Sequence, residues 1–135
     1  MSDVDAYDQQ VQALRTANQP LLEAFQAWPE QAGLSRKTVA GHRGNSALFA
    51  TFLLSYEPLK TLDAADSGDV SMFLGYWFPR KALWASTGRM AALMAALKKF
   101  FHWLGMTGRV SADTVEAVVT ILKEDRAAFL AAVAE

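Results

Sequence analysis

The sequence contains no cysteine and only two histidines in 135 residues. Disulfides, thiolate metal sites and thiol nucleophiles are therefore excluded, and His42 and His102 are too far apart in sequence to form a zinc-binding spacing. There is no Gly-rich phosphate loop closing on Lys-Ser/Thr, and no G-x-G-x-x-G following a strand. The run from Asp63 to Asp69 lacks the ligand spacing and the closing Glu of a calcium loop. Apolar–polar alternation is missing, and β-branched residues are sparse before Val115. No apolar run approaches a membrane span, and the opening Met1, Ser2, Asp3, Val4, Asp5 is acidic where a secretory leader is basic. The expectation is a cytoplasmic protein with no membrane partner, no cofactor, no metal and no catalytic residues. Paired carboxylates such as Asp66/Asp69 and Glu124/Asp125 read as helix-start and surface charges.

What is present is apolar and helix-forming. At 52% hydrophobic and 11% aromatic the chain is too apolar for disorder, and its length suits one domain, 1–135, around one core. Ala, Leu, Gln, Met and Lys predict helices throughout. Val4, Tyr7, Val11, Leu14, Asn18, Leu21, Phe25 and Trp28 recur every three or four residues, which makes one amphipathic helix over 1–32. Pro20 is expected to kink or break it near Asn18 and Gln19, because proline has no N–H for the Thr16 carbonyl.

Ser35 caps a second helix over 35–56, with Thr38, Val39, His42, Phe49, Phe52, Leu53 and Tyr56 toward the core. The run from Asp66 to Asp69 opens a third, over 70–78, apolar nearly all round and expected at the centre, with Pro79 as its stop. Ser86 caps a fourth over 86–104, where Met90, Met94, Leu97, Phe101 and Leu104 face inward and Gly105 ends it. Ser111, with Asp113 and Glu116 in the first turn, starts a last helical region.

Charge is unevenly distributed. Residues 35–109 hold ten of the thirteen Lys and Arg residues against four carboxylates, net +6, between acidic ends of −4 and −3. A basic centre of this kind points to a polyanionic partner.

Leu34, Ser35, Arg36, Lys37, Thr38 and Val39, then His42, Phe49, Phe52, Leu53 and Leu54, resemble the opening helix of the core-binding domain of tyrosine recombinases, the phage integrases. Asp69-Val70 with Phe73-Leu74 resembles that family's next helix. Thr87, Gly88 and Arg89, then Leu93 and the run Leu97 to Leu104 with Gly108, resemble its basic, aromatic-pair helix. The likeness covers 33–124. It implies an all-α, SAM-like bundle of four to five core helices, with 1–32 as an extra N-terminal helix, that grips duplex DNA in integration and recombination. In that family the catalytic Arg, His-x-x-Arg and Tyr belong to a following domain, and Glu135 ends the chain before one, so no enzyme is expected. His42 stands where the family favours Tyr.

The residues themselves offer a matching surface. Thr87, Ala91, Ala95, Lys98, Lys99 and His102 share one arc of the fourth helix; Arg36, Ala40, Arg43 and Ala47 share one of the second, with Lys37 nearby. Small residues edged by cations admit phosphates closely and read little sequence. The expected DNA contacts are Arg36, Lys37, Arg43, Thr87, Lys98, Lys99 and His102, with Arg89 on the far side of the buried stripe. Set against this, the same cations can serve only to keep an apolar bundle in solution. His42 is expected to pack in the core or pair with Tyr56. The four tryptophans are expected to pack at core and rim, with Trp84 the one candidate for an exposed contact. Gly41-His42-Arg43-Gly44 falls mid-helix without strands, which removes the KH-loop reading. The rival function is a protein-interaction bundle, a homodimer through its N- or C-terminal stripe. A small-molecule-binding regulator rests only on aromatic and methionine richness.

Overall fold

The computed structural model describes residues 2–134, and every regular element among them is helical. Seven α-helices follow in order: α1 Asp3–Gln26, α2 Arg36–Leu53, α3 Ser67–Met72, α4 Phe78–Lys81, α5 Thr87–Met106, α6 Ala112–Glu124 and α7 Arg126–Val133. A π-turn, Phe73–Trp77, joins α3 to α4, and short 3₁₀ turns occupy Pro29–Gln31 and Leu62–Ala64. The all-α bundle expected from composition is the observed fold. No helix among the described residues is long and apolar enough to cross a membrane.

Serine caps fix the three main starts. Ser35, Ser86 and Ser111 each accept the backbone N–H three residues on, from Thr38, Arg89 and Thr114, at 3.1, 3.2 and 3.1 Å. Asp66 and Asp69 form a reciprocal capping box at the start of α3, each carboxylate accepting the other's backbone N–H at 3.0 Å. Lys60 donates to Asp69 at 2.9 Å and tethers the preceding loop to this cap.

The centre of the bundle is α5. It buries Met90, Leu93, Met94, Ala96, Leu97, Phe100, Phe101, Trp103 and Leu104, packing on α2 on one side and on α6 and α7 on the other. One apolar cluster runs from Leu22 of α1 to Phe129 of α7. Its aromatic interior includes an edge-on contact of Phe25 with Phe100 at 5.0 Å and a tilted contact of Phe49 with Phe73 at 5.3 Å.

Several expectations are corrected. The helix over 70–78 is not the centre, since Met72 and Tyr76 are half-exposed; it buries one face, Val70, Phe73, Leu74 and Phe78. Pro79 does not stop it, because a proline in the first turn of α4 removes no bond that turn needs. The π-turn, in which the Phe78 N–H reaches the Phe73 carbonyl, brings these two phenylalanines to the same face; in a plain α-helix residues five apart diverge by about 140°.

Pro20 lies inside an unbroken 24-residue α1. Burial of Leu22 and Phe25 beyond it, and the Leu62 N–H donated to buried Asn18 at 3.0 Å, hold the helix together across the lost bond. Gly105 is not the stop of α5. It is a contact point, where an added Cβ would meet Val115 Cγ2 at 2.6 Å, and the helix ends instead at Gly108, φ +73°. There the Arg109 and Gly108 N–H groups bond back to the Leu104 and Gly105 carbonyls at 2.8 and 3.1 Å. On α2 the helix stops at Leu53; Thr38 and Tyr56 are exposed and Val39 half-buried, so the inward arc is narrower than expected.

Candidate nucleic-acid interface

Lys98, Lys99 and His102 are brought together on the outer side of α5. They line an open depression of about 370 Å³ with Ala95, Trp28, Glu30 and His42. Its far wall is the 3₁₀ turn after α1, where the Trp28 ring lies 5.7 Å from that of His102. Lys98 also lines the adjoining depression of about 440 Å³, with Ala91, Ala95, Lys123 of α6 and Arg126 of α7. Lys98 is thus the crest between two hollows. Among the described residues no carboxylate oxygen lies within 4.0 Å of Lys98, Lys99, Lys123 or Arg126. The acid in the first hollow is Glu30, 3.9 Å from His102 Nε2, an ion pair when that imidazole is protonated.

The residues expected to contact DNA from the second helix lie elsewhere. Arg43 donates to Gln26 of α1 at 2.6 Å and Ala47 packs on the core, so of the arc Arg36, Ala40, Arg43 and Ala47 only Arg36 and Ala40 are exposed. Arg36 and Ala40 line a hollow with Trp28, Pro29 and Leu34. Lys37 is exposed. Thr87 is exposed in the first turn of α5. Arg89, in the same turn, lies over the Trp84 ring at 4.5 Å. On a helical wheel Arg89 and Lys98, nine residues apart, point in opposite directions. Trp84 is half-exposed, edge-on to Phe78 at 5.3 Å, with the fully exposed Leu83 beside it.

His42 does not pair with Tyr56, which lies beyond the end of α2. Its Nδ1 is 2.9 Å from Gln31 Oε1, and Gln31 Nε2 donates to the Phe25 carbonyl at 2.6 Å. The carbonyl fixes the orientation of the buried Gln31 amide, so the amide oxygen faces His42 and Nδ1 carries the hydrogen. Burial, and then the Lys99 ammonium, hold the His42 pKa below its ordinary value of 6.5. In neutral water the ring is uncharged, and Nε2 keeps a free lone pair.

Lys123, Arg126 and Gln31 were not singled out from the sequence. One signal was available for the basic wall: no Asp or Glu occurs between Asp69 and Asp113. The break at Asp125 that swings Arg126 toward Lys98 left no such mark. No metal-binding cluster of His, Asp or Glu occurs among the described residues. Comparison with known proteins gives no match, whether to a family model, a curated protein or a solved structure.

Proposed function

We propose that the chain is a non-catalytic nucleic-acid-binding module of the integrase core-binding type. In this reading it holds duplex DNA by its phosphates along the wall formed by α5, α6 and α7. The observation that carries the reading is the grouping of Lys98, Lys99, Lys123 and Arg126, from three helices, around the small residues Ala91 and Ala95, with no described carboxylate within ion-pair distance. Cations beside small side chains admit a phosphate backbone closely and release its counterions, which favours affinity over sequence preference. The interface expected from the sequence moves accordingly: Lys98, Lys99 and His102 stay, while Lys123 and Arg126 take the place of Arg36, Lys37 and Arg43.

A titration of a short duplex at several salt concentrations tests it. With four cations engaged, log K is expected to fall against log salt with a slope of about −3 to −4. Lys98→Glu/Lys99→Glu is expected to abolish binding without unfolding the bundle. A salt-insensitive affinity, or none at low salt, ends the proposal.

One observation favours the dimerising alternative. Val4 and Tyr7, on the acidic first half of α1, are 68% and 39% exposed, an apolar edge that a second copy would cover. A monomer–dimer equilibrium in sedimentation, lost on Val4→Asp, would favour that alternative over DNA binding.

A further inference from the structure

The hollow that contains His42 has a feature that phosphate binding to surface lysines alone does not require. Gln31 occupies His42 Nδ1–H, because its own amide is anchored by the Phe25 carbonyl, so the one site at which the ring can gain or lose a proton is Nε2. The charged and titratable groups that line the same hollow as the ring are Lys98, Lys99 and His102 from α5 and Glu30 from the 3₁₀ turn. Three of these four favour an anion, and the fourth, Glu30, is 3.9 Å from His102. A tetrahedral oxyanion in this hollow meets the ammonium groups, while an unprotonated Nε2 offers it a lone pair and repels it. Protonation reverses that contact. Nε2–H becomes a charge-assisted donor, and the ring remains satisfied at Nδ1.

We infer that His42, Lys98, Lys99 and His102 form a seat for one phosphate group, and that filling the seat draws a proton onto His42 Nε2. The inference deepens the nucleic-acid reading and rests on it for the identity of the ligand, a phosphodiester of the backbone. The free protein holds His42 neutral through burial and Lys99; an anion offsets the Lys99 charge and stabilises the imidazolium. The sign follows from linkage. Binding takes up a proton, so affinity rises as pH falls through the interval between the free and occupied titration midpoints, by up to about tenfold per pH unit. Below the free midpoint the ring is already charged and the dependence flattens.

The experiment measures duplex affinity and proton uptake by calorimetry from about pH 5.5 to about pH 7.5, at constant salt and in buffers of different ionisation enthalpy, for the wild type, His42→Gln and His102→Gln. Phosphodiesters do not titrate there, so any uptake belongs to the protein. The expected result, at saturating duplex, is uptake approaching one proton in the wild type and none in His42→Gln, with His102→Gln binding more weakly as a seat group is lost yet still taking up its proton. In parallel, the His42 ring is titrated by NMR in the wild type with and without sulfate, a tetrahedral dianion over this range; its midpoint is expected to move up. The wild-type measurement stands even if the His42 variant fails to fold. Uptake that persists in His42→Gln, uptake lost in His102→Gln, or a His42 midpoint that neither sulfate nor duplex moves, overturns the seat. Steep salt-dependent duplex binding with an unmoved midpoint removes the seat and leaves the nucleic-acid reading. A midpoint moved by sulfate with no duplex binding does the reverse.

Discussion

At the scale of single residues, the bundle depends on a few contacts whose removal has a computable sign. Gly105 is one: a methyl group there overlaps Val115 Cγ2 at 2.6 Å, and both residues lie on packed helices. Gly105→Ala is therefore expected to cost about 1–3 kcal/mol by chemical denaturation, although alanine is the better helix former. Val115→Ala in the same chain should recover part of the loss; a stabilising Gly105→Ala would refute the contact. Asp66 is a second. The Asp69 N–H donated to its carboxylate, and then Lys60, hold its pKa below the ordinary 3.8. A lowered carboxylate stabilises fully above its unfolded value, and that contribution is lost as pH falls through the folded one. Wild-type stability should therefore decline on acidification below about pH 4, and Asp66→Asn, which keeps the cap without the titration, should decline less. The sequence marked both residues only in part. Asp66 was legible as a helix start because capping is local. Gly105 looks like a stop in the sequence, because the contact that requires a glycine there is with a valine ten residues on.

At the scale of helices, what was legible was whatever depends on neighbours within a turn or two. Ser35, Ser86 and Ser111 announce their helices because a cap needs only the next three residues. The π-turn and the break at Asp125 were not legible, since each answers to the packed core rather than to its own turn: the first sets Phe78 on the buried face with Phe73, and the second carries Phe129 to Gly75, where its ring would lie 3.5 Å from an added Cβ. Pro20 shows the same competition with the opposite outcome. The missing N–H predicts a kink or break near Asn18 and Gln19, yet tertiary burial of Leu22 and Phe25 overrides it and α1 stays whole. The cost of the missing bond remains in the molecule. Pro20 is exposed, so Pro20→Ala returns a donor to the Thr16 carbonyl and is expected to stabilise the protein by about 2 kcal/mol in a denaturant midpoint series. No gain would mean that the helix is already bent around the gap. Uneven anchoring along α1 adds a kinetic signature. Up to residue 14 the helix is largely exposed, with Tyr7 donating to the Leu54 carbonyl at 3.0 Å, whereas Leu22 and Phe25 are buried. Amide exchange should accordingly be fast before Leu14 and slow near Phe25.

At the scale of the whole molecule, the charge asymmetry of the sequence becomes a question of which wall the cations share. Arcs drawn on single helices point to the second and fourth helices. The folded chain instead turns Arg43 to Gln26 of α1, sets Arg89 over Trp84, and gathers Lys98 with Lys123 and Arg126 across three helices. Lys123 and Arg126 lie in the acidic end of the sequence, residues 110–135, where net charge hid them; only the fold separates their side chains from Glu124 and Asp125. Two charge reversals, each of two residues and so equal in net change, distinguish the walls. Lys123→Glu/Arg126→Glu should weaken duplex binding at least tenfold and flatten the salt slope by about 2, while Arg36→Glu/Lys37→Glu should change affinity only by the weaker long-range field. If the two double variants lose affinity equally, the chain attracts DNA by total charge alone and has no gripping wall. If Arg36→Glu/Lys37→Glu is the more damaging, the duplex lies against α2, and the surface gathered around Lys98 is not the interface.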